Sequence, residues 1–428
     1  MAIKHVSSHL SGRRVGFIST RLEGTDGVSL ETEKWVEVLE HLDCQCFFFA
    51  GASQWDEERS FIVPEVHFRH PDIQKINNVI FYNHIRPEAV TRQIYQIKDY
   101  IKRHISDFVR KFDLELLIIE NALAIPLNVP LGIALTEYIA ETGIPTIAHH
   151  HDFFWERKRF LVNCVWDYLN MAFPPHLPPI RHVVINSSAA NQLSLRTGIS
   201  SLIIPNVMDF DHPPAPPDEY ARDVRQAFQV KPDEKFFLQP TRVVPRKGIE
   251  HAIELVQRLG FKVRLVVSHA SGDEGYEYEK YLRQNAELMG VPVNFVSDII
   301  RQERGIINGQ KIYTLPDIYP HADLVTYPSD IEGFGNAFLE AVYFRRPIVV
   351  NNYSIFDIDI KPKGFRVIDF DGYITDQTIE HTRRVLENPE LAQEMADHNY
   401  RLAQKHYSYT MLERRLQTLL ADCFGETV

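Results

Sequence analysis

Glu332 and Glu340 stand eight positions apart in the run Tyr327-Pro-Ser-Asp-Ile-Glu-Gly-Phe-Gly-Asn-Ala-Phe-Leu-Glu340. Gly333 and Gly335 lie directly behind the first acid. Glycine lets a backbone approach a ligand closely and present its N–H groups. The apolar residues Phe338, Leu339, Ala341 and Val342 then begin a helix, which leaves Glu332 in the loop at its mouth. Were the whole segment helical, the two acids would be about 12 Å apart along the axis. Each acid can then hold one end of an extended polar ligand, while a helix N-terminus between them favours an anion at its middle. A sugar–diphosphate–nucleoside has that chemistry: hydroxyls at both ends and charge at the centre.

A second run supplies cations. In Gln239-Pro-Thr-Arg242-Val-Val-Pro-Arg246-Lys247-Gly248, three positive side chains and a glycine follow an apolar strand. A diphosphate leaving group gains negative charge as its bond to the sugar breaks, so cations fixed beside it stabilise the transition state more than the ground state. Arg246 is an additional charge that reads equally well as a solvated neighbour.

Four further stretches are candidates. His149-His150-His151-Asp152 ends a strand. Adjacent strand residues alternate faces, so the three imidazoles do not easily converge on one ion, and no metal is expected there. Glu120 and Asn121 end another strand, where they either bond acceptor hydroxyls or fix the loop before Pro126. Arg157-Lys158-Arg159 follows the histidines, and one or two of these cations can clamp an anionic acceptor. Glu23-Gly24-Thr25-Asp26-Gly27-Val28-Ser29 follows the first strand; it is not a Gly-x-Gly-x-x-Gly fingerprint. Ser29 and Glu31 read as helix-start residues there.

The elements that must carry these groups alternate strand and helix. Strands are expected at Arg14–Ser19, Cys46–Ala50, Leu116–Glu120, Thr146–His149 and His182–Asn186, with a long helix over Thr91–Phe112. After four prolines between Asp211 and Asp218, the alternation restarts at Lys235–Gln239, Lys262–Val267, Val293–Val296, Asp323–Tyr327 and Ile348–Asn351. Near-continuous apolar strands separated by helices predict parallel sheets covered on both faces. The expected organisation is a first domain over 1–206, a proline-rich linker over 207–220 and a second domain over 221–408.

The acidic run resembles the Glu-x(7)-Glu signature of retaining, metal-independent nucleotide-sugar glycosyltransferases of the GT-B architecture, most closely the large sucrose-phosphate-synthase-like family 4. The flanking Pro-Ser, the Glu-Gly-Phe-Gly run and the closing Pro347-Ile-Val-Val match. Asn336 and Phe344-Arg345-Arg346 depart from it, since the family usually has a glycine before that proline. The basic run resembles the family's Gly-Arg-x(4)-Lys-Gly motif, with Thr241 in place of its first glycine.

The resemblance implies two Rossmann-like doubly wound domains facing a central cleft, with the last helix, 409–424, packed back on the first. It implies that Glu340 binds ribose hydroxyls and Glu332 the transferred sugar, with Gly333, Phe334 and Gly335 assisting. Arg242 and Lys247 would stabilise the departing diphosphate, linked to uridine, guanosine or adenosine. Gly24 and Gly27 would approach the phosphates. His151 would orient the reacting pair, with His150 as the reserve, and Glu120, Asn121 and Arg157 would meet a small polar acceptor, which can be anionic. Ser268–Gly275 and Ser297–Arg301 occupy positions near the nucleotide in that family. A nucleotide-sugar epimerase, a glycoside phosphorylase and a non-catalytic sugar-nucleotide sensor share the architecture and remain as alternatives.

Bulk properties agree. The chain has 428 residues and a formal charge of −11, which argues against a broad nucleic-acid-binding face. Four cysteines, Cys44, Cys46, Cys164 and Cys423, make no zinc set. The first eight residues carry no apolar signal core, and no stretch is long and apolar enough to span a bilayer. A cytoplasmic protein without a cofactor is expected, with homo-oligomers left open.

Overall fold

The computed structural model describes residues 11–24, 26–271 and 275–425. Thr25, Gly272 and the first eight residues, which entered the reading above, lie outside the described residues. The chain forms two compact units, 1–207 with 409–428, and 208–408. The proline-rich stretch expected as a linker therefore falls within the second unit, where Asp218 accepts from Ala221 N and ion-pairs with Arg304.

The first unit is built on a seven-stranded parallel sheet of order β3-β2-β1-β4-β5-β6-β7. Its strands are β1 (Arg14–Ile18), β2 (Gln45–Ala50), β3 (Ser60–Ile62), β4 (Leu116–Glu120), β5 (Thr146–His150), β6 (Ile180–Val184) and β7 (Leu202–Ile203). Helices α1 (Gly27–His41), α2 (Glu88–Phe112) and α3 (Val129–Thr142) belong to the same unit. The strand period of two distributes its apolar run between two cores. Cys46, Phe48 and Ala50 join Trp35 and Leu39 of α1. Phe47 and Phe49 join Ile101, Ile105 and Phe108 of α2 on the other face.

The second unit has a six-stranded parallel sheet of order β10-β9-β8-β13-β14-β15 and a separate two-stranded hairpin. Its strands are β8 (Lys235–Gln239), β9 (Val263–Val267), β10 (Val293–Phe295), β13 (Leu324–Tyr327), β14 (Ile348–Asn351) and β15 (Ile368–Phe370), and the hairpin pairs β11 (Gly305–Ile307) with β12 (Gln310–Ile312). Helices α4 (Ile249–Leu259), α5 (Asn336–Tyr343), α6 (Asp376–Glu387) and α7 (Pro389–Tyr407) complete it.

In each sheet the winding reverses beside the first strand, so β1 pairs with β4 and β8 pairs with β13. Ligands of open parallel sheets bind beyond the carboxyl ends of the strands at such a reversal. The basic run follows β8 and the acidic run follows β13, which places the two charged motifs at the second unit's reversal.

Helix α8 (Tyr409–Phe424) returns to the first unit. Leu412, Leu416, Leu419 and Leu420 repeat at helical spacing and join Trp35 and Leu39 in one core. No helix among the described residues is long and apolar enough to cross a membrane. All four cysteines are free thiols.

Leu416 is fully buried. Its replacement by Ala is expected to destabilise the first unit by about 2–5 kcal/mol, from lost burial and the cavity left behind. The four tryptophans, Trp35, Trp55, Trp155 and Trp166, all lie in that unit. Intrinsic fluorescence during urea unfolding therefore reads it selectively, and an unchanged midpoint for Leu416→Ala would refute the packing of α8.

Candidate active site

Two clusters form at strand ends, one in each unit. In the second, Pro245–Lys247 makes a single tight turn after β8. Gly248 follows in the left-handed conformation at φ +56°, and a Cβ there would lie 2.5 Å from the carbonyl oxygen of Pro328. Glycine is thus required for the basic loop to sit against the end of β13.

That approach brings Lys247 Nζ onto Glu332 Oε1. The two side chains are each only 10% exposed. Arg246 Nη1 lies 3.7 Å from the other Glu332 oxygen, and Arg246 O accepts from Asp330 N at 3.0 Å. Burial lowers the Lys247 pKa, opposed by the charge and hydrogen bond of Glu332. Arg242 is exposed and acts electrostatically on both Lys247 and His269. Among the described residues its guanidinium forms no ion pair.

His269 was not singled out from the sequence. It follows β9 and its Nδ1 is 2.8 Å from Ser268 Oγ. Burial, then the charges of Lys247 and Arg242, push its pKa down to about 4, so it is a neutral imidazole beside two cations. It lies within Ser268–Gly275, the stretch that the resemblance places near the nucleotide. Ser297–Ile299 forms a short turn, and Arg301 folds its guanidinium back on the carbonyls of Ser297 and Ile300.

The acidic run differs from expectation in one respect. Helix α5 begins only at Asn336, so Glu332 to Gly335 is loop and one helical turn, not two, precedes Glu340. Gly335 has φ +134°, and a Cβ would lie 2.4 Å from Tyr353 Oη. Tyr353 Oη donates to Phe334 O at 2.7 Å, while the Phe334 ring is buried against Tyr407. Gly333 is exposed. Phe334 thus offers a ligand backbone only. Glu340 Oε2 accepts from the buried Tyr319 Oη at 2.7 Å. Tyr327 and Tyr353 are fully buried beside Glu332; burial first, then that carboxylate, raises both phenols.

In the first unit, Glu120 is fully buried at the end of β4. Its carboxylate lies 3.0 Å from His149 Nδ1 and 3.3 Å from His151 Nε2. Trp35 stacks on His149 with ring centroids 4.3 Å apart. Burial would raise the Glu120 pKa, but the charge and hydrogen bonds of the two imidazoles outweigh it and bring it to about 2. Burial would lower His151; the hydrogen bond and charge of Glu120 raise it instead.

Two expectations are corrected here. Glu120 does not meet an acceptor, because it has no exposed surface and its carboxylate is occupied by the histidines. His150 does not line the site either. It points to the opposite face of β5, fully buried, with Nε2 2.9 Å from His182 Nδ1. Burial, then neighbouring imidazoles, holds it well below the usual histidine range.

Residues two apart share a strand face, so His149 and His151 do converge with Glu120, their ligating atoms all within 4.8 Å of one another. Alternation separates only the middle imidazole, His150, from the other two. The donor set nevertheless fits a proton network better than a cation. His149 Nε2 is buried without a partner. A metal on Nδ1 would place a proton on that stranded atom, whereas metal-bound histidines normally donate their second N–H.

Asn121 bridges this cluster to Asp152. It adopts φ +58°, accepts from His151 N at 3.1 Å and donates to Asp152 Oδ1 at 3.0 Å. Arg157 is held by Asp152. Arg159 forms no ion pair among the described residues and lies over the Phe160 ring at 4.5 Å. Burial, then the neighbouring Arg157, lowers its pKa. Of the basic triplet, Arg157 is ion-paired, whereas Lys158 and Arg159 form no ion pair among the described residues.

Gly24 has φ +90° and donates its N–H to Gln54 Oε1 at 3.0 Å. Gly27 opens α1, whose cap is Asp26, accepting from Val28 N and Ser29 N. Ser29 and Glu31 lie inside the helix, and Glu31 accepts from Val207 N at 3.1 Å.

Comparison with known proteins places this geometry. Residues 221–402 match the family described as Glycosyl transferases group 1. The mannosylglucosylglycerate synthase of Thermotoga maritima is 32% identical over 435 residues, covering 91% of this chain and 95% of that protein. The structure of Anabaena HepE with UDP-glucose superposes with a TM-score of 0.64 at 12% identity, covering 96% of this chain and 99% of the other. Sucrose-phosphate synthase from Thermosynechococcus elongatus gives 0.65 at 14% identity, covering 96% and 99%. At those identities the structural likeness speaks for the fold alone.

Removal of one partner from a buried ion pair leaves the other charged and unpaired. Lys247→Met is expected to lower unfolding stability by about 1–3 kcal/mol, and adding Glu332→Gln to recover most of it. Urea unfolding of the four proteins of this cycle measures the coupling; additive losses would contradict it.

The Glu120 cluster has a pH signature. His151 is raised above 6.5 when folded, so its contribution to stability is full below pH 6.5 and is lost as pH rises through the raised value. Glu120 falls from 4.5 to about 2, so its contribution is present above pH 4.5 and lost on acidification toward 2. In a histidine-resolved NMR titration, His151 should titrate above 6.5 in the wild type and below it in Glu120→Gln. Equal midpoints would exclude the pairing.

Proposed function

We propose, from the premise that the chain belongs to the glycosyl transferases group 1 and has the GT-B fold, that it moves a hexose from a nucleotide diphosphate sugar to a small acceptor bearing a carboxylate. The transfer retains the anomeric configuration and needs no metal ion. The observation that carries the reading is the buried Lys247–Glu332 pair beside Arg242, at the carboxyl ends of β8 and β13. An activated sugar needs fixed cations next to hydroxyl-binding acids, and that is the chemistry gathered there.

The roles follow from the groups. Arg242 and Lys247 take the diphosphate, whose charge grows as the glycosidic bond breaks. Lys247 then exchanges part of its bond to Glu332 for a phosphate oxygen, which frees a carboxylate oxygen for a sugar hydroxyl. Neutral His269 adds a hydrogen-bonding group without adding charge. Glu340 binds the ribose, and its bond from Tyr319 fixes its direction. Gly333, Phe334 and Gly335 offer backbone groups. Gly24 and Gly27 stay as backbone contacts at the first unit's strand end. With two cations at the phosphates, a divalent ion is not required for charge neutralisation.

On the acceptor side, His151 orients the attacking hydroxyl and Glu120 holds His151 in position. Asn121 fixes Asp152, and through it Arg157. Arg159, which like Lys158 forms no ion pair among the described residues, is the cation for a carboxylate. Mannosylglucosylglycerate, the product in the Thermotoga relative's name, contains a glycerate carboxylate. That supports an anionic acceptor of the glycosylglycerate class.

The experiment is a matrix of uridine-, guanosine- and adenosine-diphosphate hexoses against glucosylglycerate and its neutral glycerol analogue, read by mass spectrometry and NMR. Expected is one α- or β-linked product with the donor's own anomeric configuration, formed equally with chelator present. Arg159→Gln should raise KM for the carboxylate acceptor by about tenfold with little change for the neutral one. Lys247→Ala should lower turnover by about 10²–10³. Inverted product, loss of turnover in chelator, a donor epimer without transfer, or sugar phosphate released in inorganic phosphate would each contradict the reading.

A further inference from the structure

At the opposite, amino ends of the same second-unit strands lies a pocket of about 440 Å³. Lys235 opens β8, Asp323 precedes β13 and Pro347 precedes β14, and all three line it. Strands of four to five residues rise roughly 13–17 Å, so the pocket is separated from the donor motifs by the depth of the sheet.

The lining is unusually basic for a chain of charge −11: Arg225, Lys235, Arg345 and Arg346 face one carboxylate, Asp323. That carboxylate is already used, since it accepts from Phe236 N at 2.7 Å and Arg225 Nη1 at 3.3 Å. Arg345 is tied to Asp397 and lies over Tyr400. Lys235 and Arg346 form no ion pair among the described residues. Arg346 is fixed by neutral carbonyls only: Nε on Phe344 O at 2.8 Å, and Nη1 on Pro320 O and Ala322 O, both at 3.3 Å. Its Nη2 has no protein partner among the described residues. His321 Nε2, on the same wall, is buried without a partner.

Sequence and backbone point the same way. Arg345 holds φ +54°, a conformation that favours glycine, in the stretch where the family pattern usually has one. Asp397 and the Tyr400 ring hold Arg345 in this glycine-favouring conformation, while the neighbouring Arg346 is fixed by carbonyls and feels Asp323 only at a distance. Pro320, Pro347, Val385 and Leu386 supply an apolar wall beside it.

We propose that this pocket binds the phosphoryl group of a small phosphate ester, with Lys235 and Arg346 as its anion ligands. A dianion neutralises both unpaired cations at once, and a guanidinium already fixed by three carbonyls loses little freedom in binding it. The organic part of the ester rests on the proline and leucine wall. Inorganic phosphate shares the anion chemistry but not that wall.

Isothermal titration of the full chain with inorganic phosphate and with phenyl phosphate, at constant ionic strength in chloride, tests this. Both are expected to bind saturably, phenyl phosphate more tightly. Lys235→Met and Arg346→Met should each weaken both by roughly ten- to a hundredfold, the loss of one charge-assisted hydrogen bond. Lys235 Nζ makes no bond to another described residue, so its variant keeps the fold, and circular dichroism checks this. In Lys247→Ala, which disables the donor-phosphate site, a saturable site that Lys235→Met still weakens should remain. Absence of saturable binding, equal affinity in wild type and Lys235→Met, or loss of binding in Lys247→Ala instead would overturn the assignment. Tighter binding of inorganic phosphate than of phenyl phosphate would overturn the ester.

Discussion

One buried ion pair organises the second unit's chemistry. Lys247 and Glu332 come from loops 85 positions apart, yet they meet with little solvent around them. The parallel sheet makes this meeting possible, because reversal of the winding sets the ends of β8 and β13 side by side. Gly248 makes it close, since a Cβ there would meet the Pro328 carbonyl and push the basic loop off the end of β13. Gly335 serves the acidic loop itself, lying against the Tyr353 hydroxyl that bonds Phe334 O. The pair also explains why two charges tolerate burial without a ligand, since each supplies the other's counter-charge. In the proposed function a diphosphate enters this exchange as a third charged partner, and Arg242 is exposed beside it.

The first unit solves a related problem with histidines. Strand pleat divides the consecutive imidazoles into two environments. His149 and His151 share a face with Glu120 and form a charged, hydrogen-bonded cluster. His150 faces away and pairs with His182, which burial holds down to about 4. One residue of displacement thus separates a proton-holding imidazole from a neutral one. The buried Glu120 carboxylate raises the His151 pKa against the effect of burial, and in the proposed function it acts through His151.

Much of this was legible in the sequence, for physical reasons. Apolar runs such as Leu116–Glu120 and Lys235–Gln239 are buried on both faces and so carry an unbroken signal. Strands β3, β7 and β15 have only two or three residues and carry almost none. The hairpin β11–β12 does leave a signal, Asn308-Gly309 after Ile306-Ile307, and both residues adopt positive φ there; the polar Gln310-Lys311 that follows breaks the apolar strand pattern. Among candidate site residues, those named by motif fall in one unit, Arg242, Lys247 and Glu332 in the loops after β8 and β13 and Glu340 in the following helix α5. Those named from single strand ends fared less well. Side-chain direction decided their fate: Glu120 turned inward, His150 turned to the far face, and Arg157 found Asp152. His269 became visible only when the loop after β9 was brought beside Lys247 and Arg242.

The central claim is that paired acids and fixed cations at the β8 and β13 ends hold a nucleotide diphosphate sugar. A crystal structure of the protein soaked with a hydrolysis-resistant nucleotide sugar tests it most directly. The account predicts the diphosphate within hydrogen-bonding distance of Lys247 and Arg242, the ribose on Glu340, and the Lys247–Glu332 bond lengthened. A nucleotide seated elsewhere, or one bound there with that pair unchanged and its phosphates turned to solvent, would contradict it.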